Sequence, residues 1–508
     1  MTISRSRRPK FLMRTVGALV AAVTVGGAAL AETKTDLVWS HPQEPPNWNF
    51  LQTGATALTA PTLNNVIEGL VERLGDGSVA PLLAESWEIS DDGLAYTFHL
   101  RDAKFHDGSD LDAGDVVYSI LKNKDAGQSF IKVPLVPVEA VEAIDDRTVK
   151  ITLSAPSQRL LGELGVTSGI IVPEGFYEEH DAASEMIGTG PYVFGEYRPD
   201  VHLILNRFDE YWGDLPYFEK ITHRFIPDET AAINALLAGE IDMVASIFGE
   251  GLDRVASVAG SDEFKAVVPA PDPVNWVFLS TQVEALKDIR VRQAIAHAIN
   301  RDDILAAGQS GYGETICQHV IPFTEPWNNG YCPYEYDPEK SRALLKEAGY
   351  ENLTLDFPYL TIAEFPVIKD ILEVQMADVG ITLETRGLDL ATWLERAFRN
   401  GEYEFSNITG VANAQSFICG GGREPFGMDH SELCLEEFDE LVRTSDTILD
   451  RDAYLEAMAE MVKVLADSAW VIDIHAKSTP TLAREELVGH KGYRYRAQMD
   501  ARKLRWAE

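Results

Sequence analysis

Residues 188–213 read GTGPYVFGEYRPDVHLILNRFDEYWG, and this stretch decides the fold. Gly188 and Gly190 supply backbone freedom and Pro191 fixes φ, which predicts a tight turn at the start of the stretch. Beyond the turn, apolar residues recur at every second position, as at residues 201–205, and this period predicts strands with one buried face. The stretch therefore predicts a turn that leads into two strands, a unit expected in a mixed α/β protein.

The chain begins with a segment that has the composition of a signal peptide. Its basic residues are Arg5, Arg7, Arg8, Lys10 and Arg14. Residues 15–30 are apolar or small, and Ala29-Leu30-Ala31 has the A-x-A pattern of a cleavage site. Residues 1–31 are therefore expected to be a signal peptide, exported by the Sec or the twin-arginine route. The first cysteine is Cys317, which excludes a lipid anchor, so we expect a protein that is free in a Gram-negative periplasm.

Length and charge limit the functions that are open to the chain. Its 508 residues exceed what one hydrophobic core usually organises, so two or more domains are expected. The formal net charge of −36 at pH 7 argues against nucleic acid or anionic lipid as a partner. After the leader, no apolar run is long enough to span a bilayer.

The cysteine count favours disulfides. The chain has four cysteines, Cys317, Cys332, Cys419 and Cys434. An even number in an exported protein favours disulfide pairing over a metal site, and three connectivities are possible. We favour Cys317–Cys332 and Cys419–Cys434, because each would close a short loop and contribute on the order of 3 kcal/mol.

The spacing of apolar residues predicts helices and strands that alternate along the chain. A helix is predicted at residues 62–74, where four apolar residues share one face. Further helices are predicted at residues 367–379 and 453–466, and a strand at residues 471–475. Such alternation favours an α/β fold.

The sequence does not indicate an enzyme. It contains no GxSxG, HExxH, Walker A or GxGxxG motif. Its eleven histidines are scattered, with His99 in a predicted strand and His106 in a turn. Residues 420–422 are three glycines, but the Lys-Ser/Thr of a phosphate loop does not follow them. Neither a metal nor a cofactor is expected.

Several further segments carry a family resemblance. They are LLAESW at 82–87, AKFHDG at 103–108, DVVYS at 115–119, ALLAGEID at 235–242, DIRVRQA at 288–294 and YDPEK at 336–340. Together with GTGPY…YWG they resemble, in order and over nearly the whole mature chain, one family of extracytoplasmic solute-binding proteins. This family, family 5, serves ABC importers of peptides, opines and nickel.

The resemblance implies an α/β, two-lobe periplasmic-binding-protein fold of type II, in the large cluster that has an extra subdomain in lobe I. Lobe I would contain residues 32–74, 188–276 and 477–508, with the inserted subdomain at 75–187, and lobe II would be residues 277–476. The chain would cross between the lobes near Trp276 and near His475. Two such crossings make a hinge, and a solute would be trapped as the lobes close.

The function that the resemblance implies is that of the periplasmic substrate-binding component of an ABC importer. The protein would capture an oligopeptide-like or opine- or sugar-like solute and deliver it to the permease subunits in the inner membrane. It is expected to be a monomer. A ligand-binding sensor or a chaperone-like periplasmic protein of the same fold is the alternative.

The solute is expected to be uncharged or weakly charged. In peptide-binding members, an acidic residue of lobe II pairs with the peptide amino group, but that position falls on or near Val411 here. Dipeptide binders also use an arginine at the start of a lobe-II helix, and residues 363–368 contain none. A zwitterionic dipeptide is therefore disfavoured unless Glu44, Arg386 or Arg423 substitutes. Longer peptides, oligosaccharides and sugar-derived opines all stay open.

Amides for hydroxyl groups and aromatic faces for sugar rings complete the predicted ligand-binding set. It comprises Trp48, Asn49, Asn275, Trp276, Arg386, Asn407, Val411, Asn413, Gln415, Phe417 and Arg423. The competing interpretation of Trp276 is a core residue of a strand. For Trp48 and Asn49 it is a purely structural turn.

Overall fold

The computed structural model describes residues 34–53, 56–75, 77–127, 129–247, 249–280, 282–320, 326–411, 417, 434–490 and 499–507. In chain order, the strands are β1 Asp36–His41, β2 Val71–Arg73, β3 Val79–Pro81, β4 Ala84–Ile89, β5 Ala95–Leu100, β6 Val138–Asp145, β7 Thr148–Leu153, β8 Tyr192–Arg198, β9 His202–Arg207, β10 Lys220–Phe225, β11 Met243–Val244, β12 Phe264–Val267, β13 Pro273–Leu279, β14 Gly313–Thr315, β15 Leu353–Leu360, β16 Ile381–Leu388, β17 Phe405–Val411, β18 Val471–Lys477, β19 Thr481–Arg484, β20 Leu487–Val488 and β21 Arg505–Trp506. The helices are α1 Thr56–Thr62, α2 Ala113–Lys124, α3 Ser129–Lys132, α4 Leu160–Glu163, α5 Phe176–Glu179, α6 Glu229–Leu237, α7 Leu252–Ala259, α8 Glu284–Lys287, α9 Ile289–Ala298, α10 Arg301–Gln309, α11 Pro338–Ala348, α12 Phe365–Asp378, α13 Leu390–Trp393, α14 Glu436–Ser445 and α15 Arg451–Asp467.

A seven-stranded mixed sheet, the first sheet, has the strand order β12-β19-β11-β1-β10-β9-β8. Its centre is parallel, because β1 pairs in parallel with both β10 and β11, and its outer pairs are antiparallel. Leu37, Leu203 and Ile221 lie on this sheet with no exposed surface and belong to one buried cluster. The alternating residues of the quoted stretch thus form the β8–β9 hairpin, as predicted.

The glycines of the quoted stretch serve close packing. Neither Gly188 nor Gly190 has a positive φ. A Cβ at Gly188 would lie 2.1 Å from the Val66 carbonyl oxygen, and one at Gly190 would lie 2.5 Å from the Asn65 carbonyl oxygen. The sequence-based explanation, backbone freedom, is therefore wrong for both glycines. They are required because the backbone of residues 65–66 passes against them.

Glu68 joins the two ends of the quoted stretch. Its carboxylate accepts hydrogen bonds from Thr189 Oγ1 at 2.8 Å, from Tyr211 OH at 3.0 Å and from Trp212 Nε1 at 2.9 Å. Glu68 is fully buried, and burial raises its pKa to about 7 against the opposing effect of these donors. The Tyr-Trp pair at the end of the stretch is thus a structural anchor.

The predicted helix at residues 62–74 is wrong. α1 ends at Thr62, and β2 begins at Val71. Between them the backbone pairs with the quoted stretch, since Tyr192 N donates to the Asn65 carbonyl and Gly190 N to the Val66 carbonyl. The apolar residues of this segment are buried in two different hydrophobic clusters, and only their spacing in the sequence matches that of a helix with one apolar face.

A four-stranded antiparallel sheet, the third sheet, has the order β4-β5-β7-β6 and its own buried core. Helix α2 follows β5, and the side chain of Asp112 caps it by accepting from the backbone of Gly114 and Asp115.

A second four-stranded sheet, the second sheet, has the order β14-β18-β13-β17. The parallel pair β15–β16 and helices α9 to α12, α14 and α15 accompany it, and one buried cluster runs from Val274 to Ala476. The helices predicted at 367–379 and 453–466 are confirmed as α12 and α15. The strand predicted at 471–475 is confirmed as β18, which extends to Lys477.

The predicted Cys317–Cys332 disulfide is confirmed, with the two Cα atoms 5.0 Å apart. Cys434 is also disulfide-bonded. Cys419 lies outside the described residues, so the second predicted pair stays a prediction. In the described part of the chain, no helix combines the length and the apolarity that crossing a membrane requires.

Candidate functional site: the edges that meet at the paired crossings

The chain passes between the first and second sheets twice, through two short segments that lie side by side. It goes from β12 to β13 through residues 268–272 and returns from β18 to β19 through residues 478–480. Asp272 N donates to the Lys477 carbonyl at 3.2 Å, and Ser478 Oγ donates to the Pro269 carbonyl at 2.8 Å. Such a paired crossing is the usual construction of a hinge between two bodies.

The crossings identify which edge of the first sheet faces the second sheet. β1, β10 and β11 are parallel, so their carboxyl ends meet at one edge. β19 runs antiparallel to β11 and begins at Thr481, directly after the return crossing, so the crossings reach this same edge. Open α/β sheets bind their ligands at the carboxyl ends of their strands. The candidate site therefore lies between this edge and the end of the second sheet that carries the crossings.

The carboxyl edge of the first sheet contains two stacked, buried histidines. The rings of His41 and His223 are 5.9 Å apart at an interplanar angle of 26°, and Trp39 Nε1 donates to His223 Nδ1. Burial lowers the pKa of His41 to about 4 and holds that of His223 well below its ordinary value. Both rings are therefore neutral at pH 7. On the opposite face of β1, Ser40 Oγ is buried and has no hydrogen-bond partner among the described residues.

One face of the second sheet is polar although it is buried. Asn275 Nδ2 donates to Thr409 Oγ1 at 2.8 Å, and Asn407 Nδ2 donates to Asn275 Oδ1 and to the Trp276 carbonyl, each at 2.9 Å. The pairing of β13 with β17 places Asn275 opposite Thr409, so these side chains share a face. The structure brings the predicted residues Asn275 and Asn407 together, where their amide groups bond mainly to each other.

A buried ion pair continues this face toward the crossings. Lys477 Nζ lies 2.8 Å from Glu364 Oε1, and Thr409 Oγ1 donates to the same oxygen at 3.0 Å. Glu364 precedes the first residue of α12 and is 2% exposed. Burial acts to raise the pKa of Glu364, but the ammonium of Lys477 more than offsets it and holds that pKa below its ordinary value. The carboxylate is therefore ionised at neutral pH.

His475 lies beside this ion pair, opposite Asn275 in the sheet. It has no exposed surface, and neither ring nitrogen has a hydrogen-bond partner within the described ranges. Burial lowers its pKa to about 4, so the imidazole is neutral at pH 7. Buried polar atoms in native proteins are almost always bonded, so these two nitrogens are available to a partner beyond the described residues, such as a solute or a water molecule.

Aromatic side chains occupy the other face of the second sheet. Trp276 packs edge to face on His319 at 4.8 Å and on Phe417 at 6.4 Å, and Nδ1 of His319 lies 2.7 Å from Asp473 Oδ1. Trp276 and Phe417 are 6% and 5% exposed. The Trp276 Nε1 atom has no hydrogen-bond partner in the described part of the chain. The structure therefore brings Trp276 and Phe417 together, as members of a core that carries one unbonded donor.

The other predicted site residues are placed elsewhere. Trp48 is 1% exposed and packs edge to face on Phe194 at 5.2 Å and on Tyr197 at 5.3 Å. Asn49 caps its own turn by accepting from Leu51 N at 2.9 Å. These two residues follow β1 on the first-sheet side, and their role in ligand binding stays a prediction.

Two of the three charged residues that could replace the missing peptide anchors, Arg386 and Glu44, already have partners. Arg386 donates to both carboxylate oxygens of Asp356, at 3.0 and 2.8 Å. Glu44 accepts from Tyr197 OH and from Asp200 N. Val411 ends β17, opposite Pro273. Asn413, Gln415 and Arg423 lie outside the described residues.

Sequence reasoning missed four of the polar residues at these edges: His41, His223, Glu364 and Lys477. Their signal in the sequence was weak. His41, Glu364 and Lys477 are single polar residues at or next to the end of a strand or helix, and His223 is a single polar residue within β10. A buried ion pair between residues 364 and 477 has no local pattern. No group of three or more His, Cys, Asp or Glu side chains that could hold a metal occurs among the residues that the structure describes.

A separate contact joins the third sheet to the helices of the second. Gln158 Nε2 donates to the carbonyls of Ile448 and Leu449, at 2.6 and 3.1 Å, in the turn between α14 and α15. Arg159 Nε lies 2.9 Å from Asp446 Oδ2 in the same turn. This contact, the 158–449 latch, lies apart from the crossings and links the two bodies at a second place.

The hinge, the facing edges and the unbonded polar atoms define a two-lobe α/β protein that binds a small solute. The family described as bacterial extracellular solute-binding proteins, family 5, matches residues 78–416, and the chain belongs to this family.

Individual relatives agree with this assignment. The dipeptide-binding protein of Escherichia coli is 26% identical over 527 residues, which cover 94% of this chain and 95% of the relative. Two solved structures share the fold at 22% identity, each covering 93% of this chain. One is AgaA of A. tumefaciens with agropinic acid, with a TM-score of 0.78 and 99% of that chain covered. The other is a periplasmic binding protein of Helicobacter pylori with the peptide STSA, with a TM-score of 0.79 and 98% covered.

Proposed function

We propose that the protein is the periplasmic substrate-binding component of an ABC importer. It captures a solute between two lobes that close about the paired crossings and delivers it to the permease subunits. The observation that carries the proposal is the set of buried, unbonded polar atoms at the edges that the crossings bring face to face. The relatives support it, since the H. pylori protein is described as associated with an ABC transporter.

The lobes are proposed to have the boundaries that the family resemblance implies. Lobe I would contain residues 32–74, 188–276 and 477–508 and would hold the first sheet. The inserted subdomain, 75–187, would hold the third sheet, and lobe II, 277–476, most of the second. Closure is a population shift, so the solute must bind the closed arrangement more tightly than the open one. The protein acts as a monomer and performs no chemistry on its solute.

We propose export with a cleaved signal peptide, residues 1–31, and a periplasmic location without a lipid anchor. The basic front, the apolar run and the A-x-A site support this part of the proposal. The description of the matching family as extracellular is consistent with it. N-terminal sequencing of the protein from periplasmic extract tests it, and a mature start at residue 32 is expected.

The solute is proposed to be uncharged or weakly charged: a longer peptide held by its backbone, an opine, or an oligosaccharide. The support is that Arg386 and Glu44, two charged residues that could have bound the ends of a dipeptide, already bond to other side chains. Arg386 donates to Asp356, and Glu44 accepts from Tyr197. A charge-assisted hydrogen bond contributes about 1.5–3 kcal/mol. Losing both anchors of a dipeptide would therefore remove several kcal/mol from the roughly 8 kcal/mol that a micromolar Kd represents. The agropinic acid of AgaA and the STSA peptide are precedents for an opine and for a longer peptide as the solute.

Calorimetry on protein freed of solute by unfolding and refolding tests the proposal. The probes are the peptide Ser-Thr-Ser-Ala, agropinic acid and the dipeptide Met-Leu. We expect micromolar binding of a probe from the first two classes, no binding of Met-Leu, and recovery of the bound probe unchanged. Tight binding of Met-Leu alone would contradict the solute class. If no probe binds and no small molecule is released from the periplasmic protein, the proposed function itself fails.

A further inference from the structure

The end of the second sheet nearest the crossings has unused hydrogen-bonding atoms. Glu364 Oε2 and both ring nitrogens of His475 are buried without a hydrogen-bond partner in the described part of the chain. Glu364 is 2% exposed and His475 is fully buried. Leaving such atoms unbonded is unfavourable, and native proteins rarely do so unless a ligand or a water completes the site.

The carboxylate of Glu364 is held in place, and His475 lies on the same polar face. Lys477 and Thr409 both bond to Glu364 Oε1, which fixes the carboxylate and leaves Oε2 as the only oxygen available. Asn275 lies opposite both Thr409 and His475 in the sheet, so the imidazole shares this polar face. Fixed polar groups favour a bound solute because little ordering is needed on binding.

The charges of this group decide what it can accept. Lys477 is paired with the ionised Glu364 at 2.8 Å, so its charge is compensated. The open carboxylate oxygen is an acceptor only, and a neutral imidazole supplies one acceptor and one donor. Acceptors therefore exceed donors. A solute carboxylate at this place would set its oxygens against the open acceptor Oε2 of the ion pair, and two acceptors that face each other without a donor or water between them are unfavourable.

We infer that Glu364 and His475 bind an end of the solute that donates hydrogen bonds and carries no negative charge, such as a hydroxyl, a carboxamide or an ammonium group, and that they reject a carboxylate. The inference rests on the proposed function and refines it, because it names the chemistry of one end of the same cleft. Lys477 and Thr409 are positioning residues, because their bonds to Oε1 fix the orientation of the Glu364 carboxylate.

Calorimetry with two matched probes tests the inference. The probes are Ser-Thr-Ser-Ala as the free acid and the same peptide with a C-terminal carboxamide. We expect the amide to bind at least fivefold more tightly than the acid, and Glu364→Gln to reduce that preference below twofold. Glu373→Gln is the matched control on α12, since Glu373 pairs with Lys369 and lies outside the site; it should leave both affinities unchanged. If Glu364→Gln does not fold, the ratio of the dissociation constants of the acid and the amide, measured on the wild-type protein, tests the inference by itself.

Equal or tighter binding of the acid would overturn the inference and leave the proposed function intact. If neither peptide binds, the molecules released from the periplasmic protein by guanidinium take their place. A released molecule that binds Glu364→Gln at least fivefold more weakly supports the inference, and one that binds it equally well overturns it. If nothing is released and nothing binds, the proposed function and this inference fail together.

Discussion

Replacing His475 by phenylalanine should stabilise the solute-free protein and weaken solute binding. The phenyl ring is flat like the imidazole and larger by one ring atom, and His475 is fully buried with both nitrogens unbonded among the described residues. A buried polar group without a partner costs about 1–3 kcal/mol. Removing it should therefore raise the free energy of unfolding by up to that amount, which corresponds to a rise in Tm of roughly 1–3 °C for a chain of this length.

The pH dependence of this variant follows from the pKa of His475, which burial lowers to about 4 from 6.5. The folded protein keeps the ring neutral while the unfolded chain takes up a proton. Stability is therefore present above pH 6.5 and is lost as the pH falls from 6.5 toward 4. The shift corresponds to about 3 kcal/mol. His475→Phe removes this loss, so its advantage over the wild-type protein should grow as the pH is lowered.

Differential scanning calorimetry of solute-free protein at pH 7.5, 6 and 5 provides the measurement. His106 is the matched control, because burial lowers its pKa to about 4 as well. Its ring nitrogens are bonded, however, at 2.8 Å to the Gly190 carbonyl and at 3.3 Å to Gly188 N. His106→Phe should therefore lower Tm. A lower Tm of His475→Phe at pH 7.5 would refute the reasoning, because it would show that ordered water satisfies the ring.

Two further predictions concern the anchor of the quoted stretch and the 158–449 latch. Burial raises the pKa of Glu68 to about 7, so the stability it contributes is complete below pH 4.5 and is lost as the pH rises through 7. In the wild-type protein this corresponds to a loss of about 3 kcal/mol in the free energy of unfolding, and Glu68→Gln should abolish that loss. Urea unfolding at pH 5 and pH 8 measures the difference, and an equal pH dependence of the two proteins would contradict the prediction. Gln158→Ala should weaken solute binding three- to tenfold and increase the radius of gyration in X-ray scattering, because the two hydrogen bonds from the Gln158 side-chain amide to the carbonyls of Ile448 and Leu449 are lost. An exposed ion pair within one body, Lys104–Glu210, offers the control variant Lys104→Ala, and equal effects of the two substitutions would show that the latch does not govern closure.

Local patterns in the sequence determined much of the fold. The period of two at residues 201–205 gave the β8–β9 hairpin, apolar spacing gave α12 and α15, and the short loop between Cys317 and Cys332 gave the confirmed disulfide. These features depend on neighbours within a few residues or on one short loop. The family, too, could be recognised from short segments, since these mark turns, caps and core positions that the fold requires.

Only the tertiary structure decided what the glycines of the quoted stretch do and why residues 62–74 are not one helix. Both depend on contact between two segments that are more than a hundred residues apart, the backbone at Asn65 and Val66 and the quoted stretch. The polar site likewise depends on residues that are far apart in the sequence. Glu364 meets Lys477 across 113 positions, and His475 becomes an unbonded group only because the surrounding sheets exclude water from it. Periodicity reports which face of an element is buried, whereas burial of a polar group against a distant partner leaves no period in the sequence.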